Sequence, residues 1–298
     1  MSLIIILTCL LAERFLLEYQ QIRQTDWFNK FSAWIERQEL PLWMLNGYGG
    51  IISLLLPPLL AIALLQHLLD GSLLGIPGAL FAGLVLLFSL GPLDLDQQLR
   101  QLHEAKERHD EIEATSIARK LLGDEPPPND PTYSQALVES ILEQANSRSF
   151  AVIFWFLVLG PTGAALYRLV ASLPTLHTTI REEEFFHSGK QLLAILDWIP
   201  TRLTATSYAI AGSFEDALHG WRSYHASRYT EFTSSASGIL VCAGTGALRL
   251  QSLLENDLEM NSIESQRYLL DAAMALVWRS MVVWISLIAL FTLAGWLR

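Results

Sequence analysis

Glu139 and Glu143 stand one helical turn apart in YSQALVESILEQAN. Carboxylates at that spacing leave a helix in the same direction. Such a pair of hard oxygen ligands can hold Mg²⁺ while the ion bridges to a phosphate. A solvated helix face has the same spacing, so the pair alone leaves both readings open. Arg168 and Arg202 are the charges set deepest in apolar sequence. A guanidinium there can snorkel to a membrane interface or grip an anion through its bidentate fork. His103, Glu107, Asp110 and Glu111 approximate a stripe of metal-capable side chains, but they lack HExxH spacing and have charged neighbours on every side. That stripe reads as a solvated helix. Gly244-Thr245-Gly246 lacks the GxxxxGK(S/T) pattern of a phosphate loop and reads as close helix packing. With no GxSxG elbow or Ser/His/Asp set, no catalytic nucleophile is assigned. Cys9 and Cys242 lie far apart in apolar surroundings and read as buried, inert thiols, so no metal site is assigned either.

The elements that must carry these groups are apolar. Of 298 residues, 51% are hydrophobic and only 17% charged, against about 25% charged in ordinary soluble domains. Residues 51–65 and 71–93 hold no charge, 150–167 hold none, and 277–297 hold only Arg279. A bilayer core about 30 Å thick needs roughly 20 helical residues. Segments 71–93 and 277–297 reach that length, and 51–69 and 150–171 reach it with their polar ends in the headgroups. The chain therefore reads as an all-α, polytopic integral membrane helical bundle, with residues 1–298 as a single membrane domain. SLIIILTCLLAERFLL, at the start, is a short span with Glu13 and Arg14 at the interface, or else a re-entrant helix that pairs them. It has neither the basic start nor the small-residue cleavage site of a removed signal.

Orientation follows from the basic loops. Arg14, Arg23, Lys30 and Arg37 precede the second apolar segment, and the turn near Asp70 has no lysine or arginine. Residues 94–148 carry Arg100, Lys106, Arg108, Arg119, Lys120 and Arg148. The two basic stretches are expected in the cytoplasm, 94–148 as a cytoplasmic helical insertion, and the Asp70 turn in the periplasm. Within that insertion, DLDQQLRQLHEAKERHDEIEATSIARKLLG reads as a helix stopped by Gly123 and followed by a rigid proline linker. QLLAILDWIPTRLTATSYAIAG is apolar but marked by Asp197, Pro200 and Arg202, which makes a lipid-facing span improbable there. ASGILVCAGTGALRL is rich in small residues suited to close helix packing. No inverted repeat of broken helices points to a transporter. The net charge of −10 argues against a nucleic-acid partner.

LVESILEQANSRSFAVIFWFLVLGPTGAALYRLVASL resembles the corresponding motif of the CobD/CbiB membrane proteins, which make adenosylcobinamide phosphate in cobalamin synthesis. Glu139, Ser140, Glu143, Phe154, Trp155, Gly160, Gly163, Ala164, Tyr167 and Arg168 fall in register with it. ILDWIPTRLTA and SSASGILVCAGTGAL resemble two further motifs of that family. Several polar positions differ. The family's Asn-Thr-Ser-Asp-Gly is Gln144 to Arg148 here, its Asn-Thr-x-Asp becomes Ala171, Ser172 and Pro174, and its Pro-Glu becomes Leu240 and Val241. This mixture, with the Ala-Glu-Arg opening and Ser140, resembles the AmpE family of the same superfamily. That resemblance implies an inner-membrane regulatory protein beside cell-wall recycling, linked to β-lactamase induction and so to antibiotic resistance. The alternative is an amide-forming synthase of the CobD/CbiB type, with ATP and Mg²⁺; otherwise no cofactor is expected. Under the regulatory reading, Glu139, Glu143, Trp155, Tyr167, Arg168, Asp197 and Arg202 are the residues expected to line an inherited cavity for a small anionic or lipid-like ligand. The bilayer is the expected surrounding, and a homo-oligomer is left open.

Overall fold

The structure, a computed structural model, describes residues 2–15, 26–38, 41, 45–70, 76–90, 94–123, 130–176, 181, 183–227, 232–256 and 262–295. All regular elements among them are helical. In chain order they are α1 (Ser2–Phe15), α2 (Asp26–Glu36), α3 (Gly47–Asp70), α4 (Ile76–Ser89), α5 (Asp94–Glu107), α6 (Glu111–Leu122) and α7 (Asp130–Ala145). A π-helical turn at Asn146–Phe150 leads into α8 (Ala151–Ser172), which ends in a 3₁₀ turn at Leu173–Thr175. Then follow α9 (Glu183–Ala211), α10 (Phe214–Ser227), α11 (Phe232–Ala247), α12 (Leu250–Asn256) and α13 (Ser262–Leu293). The proline linker and the turn after Asp70 lie outside the described residues, as do the side chains of Glu13 and Arg14.

Two compact units divide the chain: residues 1–92, 147–198 and 291–298 form one, and 93–146 with 199–290 the other. In the first, α4 packs against α1, α3 and α8, and α3 also packs against α8. Leu54, Leu86, Ala164, Tyr167 and Val170 are buried there. Cys9 is buried too, and its thiol donates to the Gly83 carbonyl at 3.3 Å. In the second, α6 packs on α5 and α7, while α11 packs on α7, α10 and α12. Leu102, Leu121, Ile141, Leu142, Tyr208 and Leu270 are buried there. The small residues of α11 permit the expected close approach: a Cβ on Gly246 would lie 2.5 Å from the Asp216 carbonyl oxygen of α10.

Among the described residues, three helical runs are long and apolar enough to cross a membrane: Gly47–Leu69, Tyr133–Thr175 and Glu264–Leu293. Their surfaces need an apolar solvent. Ile52, Leu56, Leu60, Leu64 and Leu68 form an exposed row along α3, and Ile76, Leu80, Leu84 and Phe88 form another along α4. Rows of that size on the outside of a chain mark contact with lipid or partner. Within 71–93 the described helix is only the 14 residues of α4, about 21 Å long; it packs against the equally short α1.

The helix expected over residues 94–123 is two. His109 has a positive φ of 56°, and Asp110 caps α6 by accepting from the Glu113 N–H at 3.0 Å. Gly123 ends α6 as expected, its N–H reaching the Arg119 carbonyl at 2.9 Å. The GPTG break in α8 is a kink at Gly160, whose φ of 68° and ψ of −155° lie in a region essentially reserved for glycine.

Candidate functional site

The candidate side chains fall into two groups, one in each unit. Trp155, Tyr167, Arg168 and Asp197 belong to the first unit; Glu139, Glu143 and Arg202 belong to the second.

In the first unit, Pro200 explains Trp155. Proline has no N–H, so the carbonyl four residues before it in α9, that of Leu196, has no helical donor. The Trp155 indole N–H supplies one at 3.1 Å, and Phe154 packs edge-on against the same ring. Next along α9, Asp197 accepts the Tyr167 hydroxyl at 2.7 Å. Tyr167 is wholly buried and Asp197 half-buried. The Trp-to-backbone and Tyr-to-Asp bonds thus lock α8 to α9, which is why FW, Y and DWxP occur together in the sequence. Arg168 is half-buried on the turn after Tyr167.

In the second unit, α7 presents Glu139 half-buried and Glu143 exposed. Glu139 accepts from the Gln135 amide at 2.7 Å and Glu143 from the Ser237 hydroxyl of α11 at 2.5 Å. On the same helix, Ser140 and Gln144 both donate to the Leu121 carbonyl. That carbonyl lies in the last turn of α6, where no helical donor remains, so Ser140 and Gln144 cap α6. Asn146, in the π-helical turn, accepts the Thr204 hydroxyl at 2.9 Å and donates to Thr201 at 3.4 Å. The residues that depart from the family pattern at 144 and 146 therefore hold helices together. Arg202 is half-buried on α9.

Sequence reasoning missed a cavity of about 590 Å³ in the second unit, lined by Gln135, Asp216, His219, Cys242, Thr245 and Arg249 among others. None of the expected site residues lines it. Asp216 accepts Arg249 Nε at 2.6 Å and the Ser213 hydroxyl. These two bonds, Ser213 first, hold its carboxyl below the usual range. Cys242 is half-exposed here, which corrects its reading as a buried thiol: helix-packing composition does not show which side of α11 meets a void. The signal for this cavity was Arg249 two residues after the small-residue run.

The stripe His103, Glu107, Asp110 and Glu111, read as a solvated helix face, does not gather at one point. Asp110 is the α6 cap, Glu107 pairs with Arg267 at 2.7 Å, and His103 is largely buried near Asp271. Among the described residues no three His, Cys, Asp or Glu side chains converge as a metal site would require.

A model of the family described as CobD/Cbib protein matches residues 6–270. The "Cobalamin biosynthesis protein CobD" of Stutzerimonas stutzeri is 30% identical over 253 residues, covering 80% of this chain and 79% of that protein. The protein of the same name from Chromobacterium violaceum is 37% identical over 118 residues, 39% of this chain and 36% of that protein. A "Probable cobalamin biosynthesis protein CobD" from Pyrococcus furiosus is 30% identical over 87 residues, 28% of this chain and 30% of that protein. No solved structure matches the chain.

These relatives overturn the expected regulatory role in β-lactamase induction and antibiotic resistance, because they are named for cobalamin biosynthesis. That expectation treated changed polar residues as lost chemistry. Two of them, Gln144 and Asn146, are engaged in helix contacts, while Glu139, Glu143, Tyr167 and Arg168 remain. With the family model matching nearly the whole chain, and a relative at 30% identity over four-fifths of it, the protein belongs to the CobD/Cbib family.

Proposed function

We propose that this protein is an amide-forming synthase in cobalamin biosynthesis, joining a corrinoid carboxylic acid to the amine of an amino-alcohol phosphate with ATP as the driving substrate. The carboxylate oxygen attacks the γ-phosphorus of ATP and ADP leaves; the amine nitrogen then attacks the acyl carbon and loses a proton, and phosphate leaves with the activated oxygen as the C–N bond forms. The observation that carries this reading is the Glu139/Glu143 face of α7, kept in family register and held in place by Ser237.

That face fits a magnesium ion. Mg²⁺ is commonly bound through one or two carboxylates together with substrate phosphates, and each carboxylate here has one oxygen engaged by a neutral donor. When bound, the ion would neutralise phosphate charge. Glu139 and Glu143 would orient it, and Arg202, in the same unit, is a fork-shaped cation for an anionic substrate. We place the protein in the inner membrane, with residues 94–148 on the cytoplasmic side where ATP is available.

The test is direct. Protein purified in detergent is given ATP, Mg²⁺, a corrinoid acid and an amino-alcohol phosphate, and the product is read by mass spectrometry. Amide product that needs both ATP and Mg²⁺ is expected, with Glu143→Gln lowering the rate at least about tenfold, in line with the loss of one charge-stabilising group. Absence of product from protein that still melts cooperatively overturns the proposal.

A further inference from the structure

α2 has two apolar faces and only one of them is covered. At about 100° per residue, Phe28, Ser32 and Ile35 share the inward side, where they are 0%, 0% and 5% exposed. Roughly 100° round the helix, Trp27, Phe31 and Trp34 form a second strip. Trp27 is 53% and Trp34 57% exposed, and Phe31 stacks on Trp34 with ring centroids 6.1 Å apart. The sector beyond that strip carries Lys30 and Arg37, both exposed. Body, aromatic strip and basic edge thus divide the circumference in that order.

The height of α2 against the membrane is fixed by its C-terminal end. Glu36, 8% exposed, pairs with the fully buried guanidinium of Arg181 at 3.0 Å. Arg181 lies over the Phe185 ring at 4.3 Å. Phe185 in turn sits where a Cβ on Gly50 would come within 3.0 Å of it, and Glu184 approaches Gly47 in the same way. The Tyr48 hydroxyl donates to Gln191 at 2.7 Å. Residues 47–50 are the first turn of α3, the end of a helix long enough to cross a bilayer. The Glu36–Arg181–Phe185 chain therefore ties α2 to the level at which α3 enters the membrane.

We propose that α2 is an in-plane anchor, its Trp27/Phe31/Trp34 strip sunk into the interfacial region of an anionic phospholipid bilayer and Lys30 and Arg37 on the lipid phosphates. Tryptophan is the residue enriched at that depth. Amphipathic helices lying there combine one aromatic or aliphatic face with a basic edge. α3 carries an exposed apolar row of its own that begins at Ile52. A helix held this way fixes the depth of the α3 entrance without crossing the membrane itself.

Nitroxide labels read the depth. Single thiols are introduced as Trp27→Cys, Phe31→Cys and Trp34→Cys in a chain carrying Cys9→Ser and Cys242→Ser, reconstituted into phosphatidylglycerol-containing bilayers. Leu60→Cys marks the α3 lipid face, and Ile112→Cys, 86% exposed on α6, serves as the water reference. The ratio of collisions with oxygen to collisions with a soluble nickel chelate is expected to be several-fold above that at 112 and below that at 60 for all three labels. Ratios equal to the one at 112 would place the strip in water. Exclusion of both reagents would place it under protein, a second copy included. Either result overturns the proposal. Lys30→Gln with Arg37→Gln is expected to make the labels shallower; unchanged depth overturns the part assigned to the two cations.

Discussion

At the scale of single residues, two prolines and one histidine show how a lost or buried polar group sets what its neighbours must do. Pro200 frees a carbonyl and Trp155 takes it. Pro161 follows Gly160, and the chain bends there. His103 shows the electrostatic side. Its ring is 13% exposed and 3.7 Å from Asp271. Burial lowers its pKa and outweighs the opposing pull of Asp271; Arg267 and Lys106 lower it further, and Glu107 raises it. The contact with Asp271 is thus not an ion pair at neutral pH. A base whose folded pKa is depressed favours the native state while it is neutral. Its contribution is complete above about pH 6.5, the unfolded value, and is lost as pH falls through the lower folded value. Melting temperature in detergent should therefore be level from about pH 8 to 7 and drop below about 6.5, and His103→Phe should flatten that drop. An equal acid limb in the variant would assign it to other groups.

At the scale of helices, the kink in α8 has a stated cost and so a testable one. A side chain at Gly160 would have to adopt φ 68° with ψ −155°, a conformation costing on the order of 1–3 kcal/mol for other residues. Gly160→Ala should lower stability by about that amount, read as a fall in melting temperature. The Tyr167–Asp197 and Trp155–Leu196 bonds lie on the helix beyond and before the kink, so a variant that straightens α8 instead should lose both. A melting temperature equal to that of the parent would show that the bend is not needed. Element types were legible in the sequence, because apolar runs and the stop at Gly123 are local signals. The break at His109 was legible too, in Asp110 three residues before Glu113, a capping pattern hidden inside a run of charged helix formers. The function of Ser140 and Gln144 as a cap for α6 was not legible, since it depends on which helix end comes to rest beside α7. Likewise the family register found Glu139 and Glu143, but only the fold shows Ser237 bound to one of them.

At the scale of the whole molecule, the chain passes between its two units at 92/93, 146/147, 198/199 and 290/291. Residues 94–146 share a unit with 199–290, a pairing between stretches far apart in sequence that periodicity cannot announce. Orientation in the bilayer, by contrast, is set by sequence-local charge. Gly47–Leu69 has 23 residues, about 34 Å of helix, enough to place its two ends on opposite sides of a 30 Å core. Lys30 and Arg37 precede it, and the described residues just before its end, Gln66 to Leu69, include no lysine or arginine. The positive-inside tendency then predicts Arg37 in the cytoplasm and His67 outside, with the basic stretch around Lys120 on the Arg37 side. Spheroplasts carrying one of Arg37→Cys, His67→Cys or Lys120→Cys in the chain lacking Cys9 and Cys242 can be treated with a membrane-impermeant maleimide. Only the thiol at 67 should react before lysis, and those at 37 and 120 only after it. Reaction at 37 in intact spheroplasts would reverse the orientation. Matching behaviour at 37 and 67 would mean that α3, for all its exposed leucines, does not cross, and the membrane level assigned to α2 would fall with it.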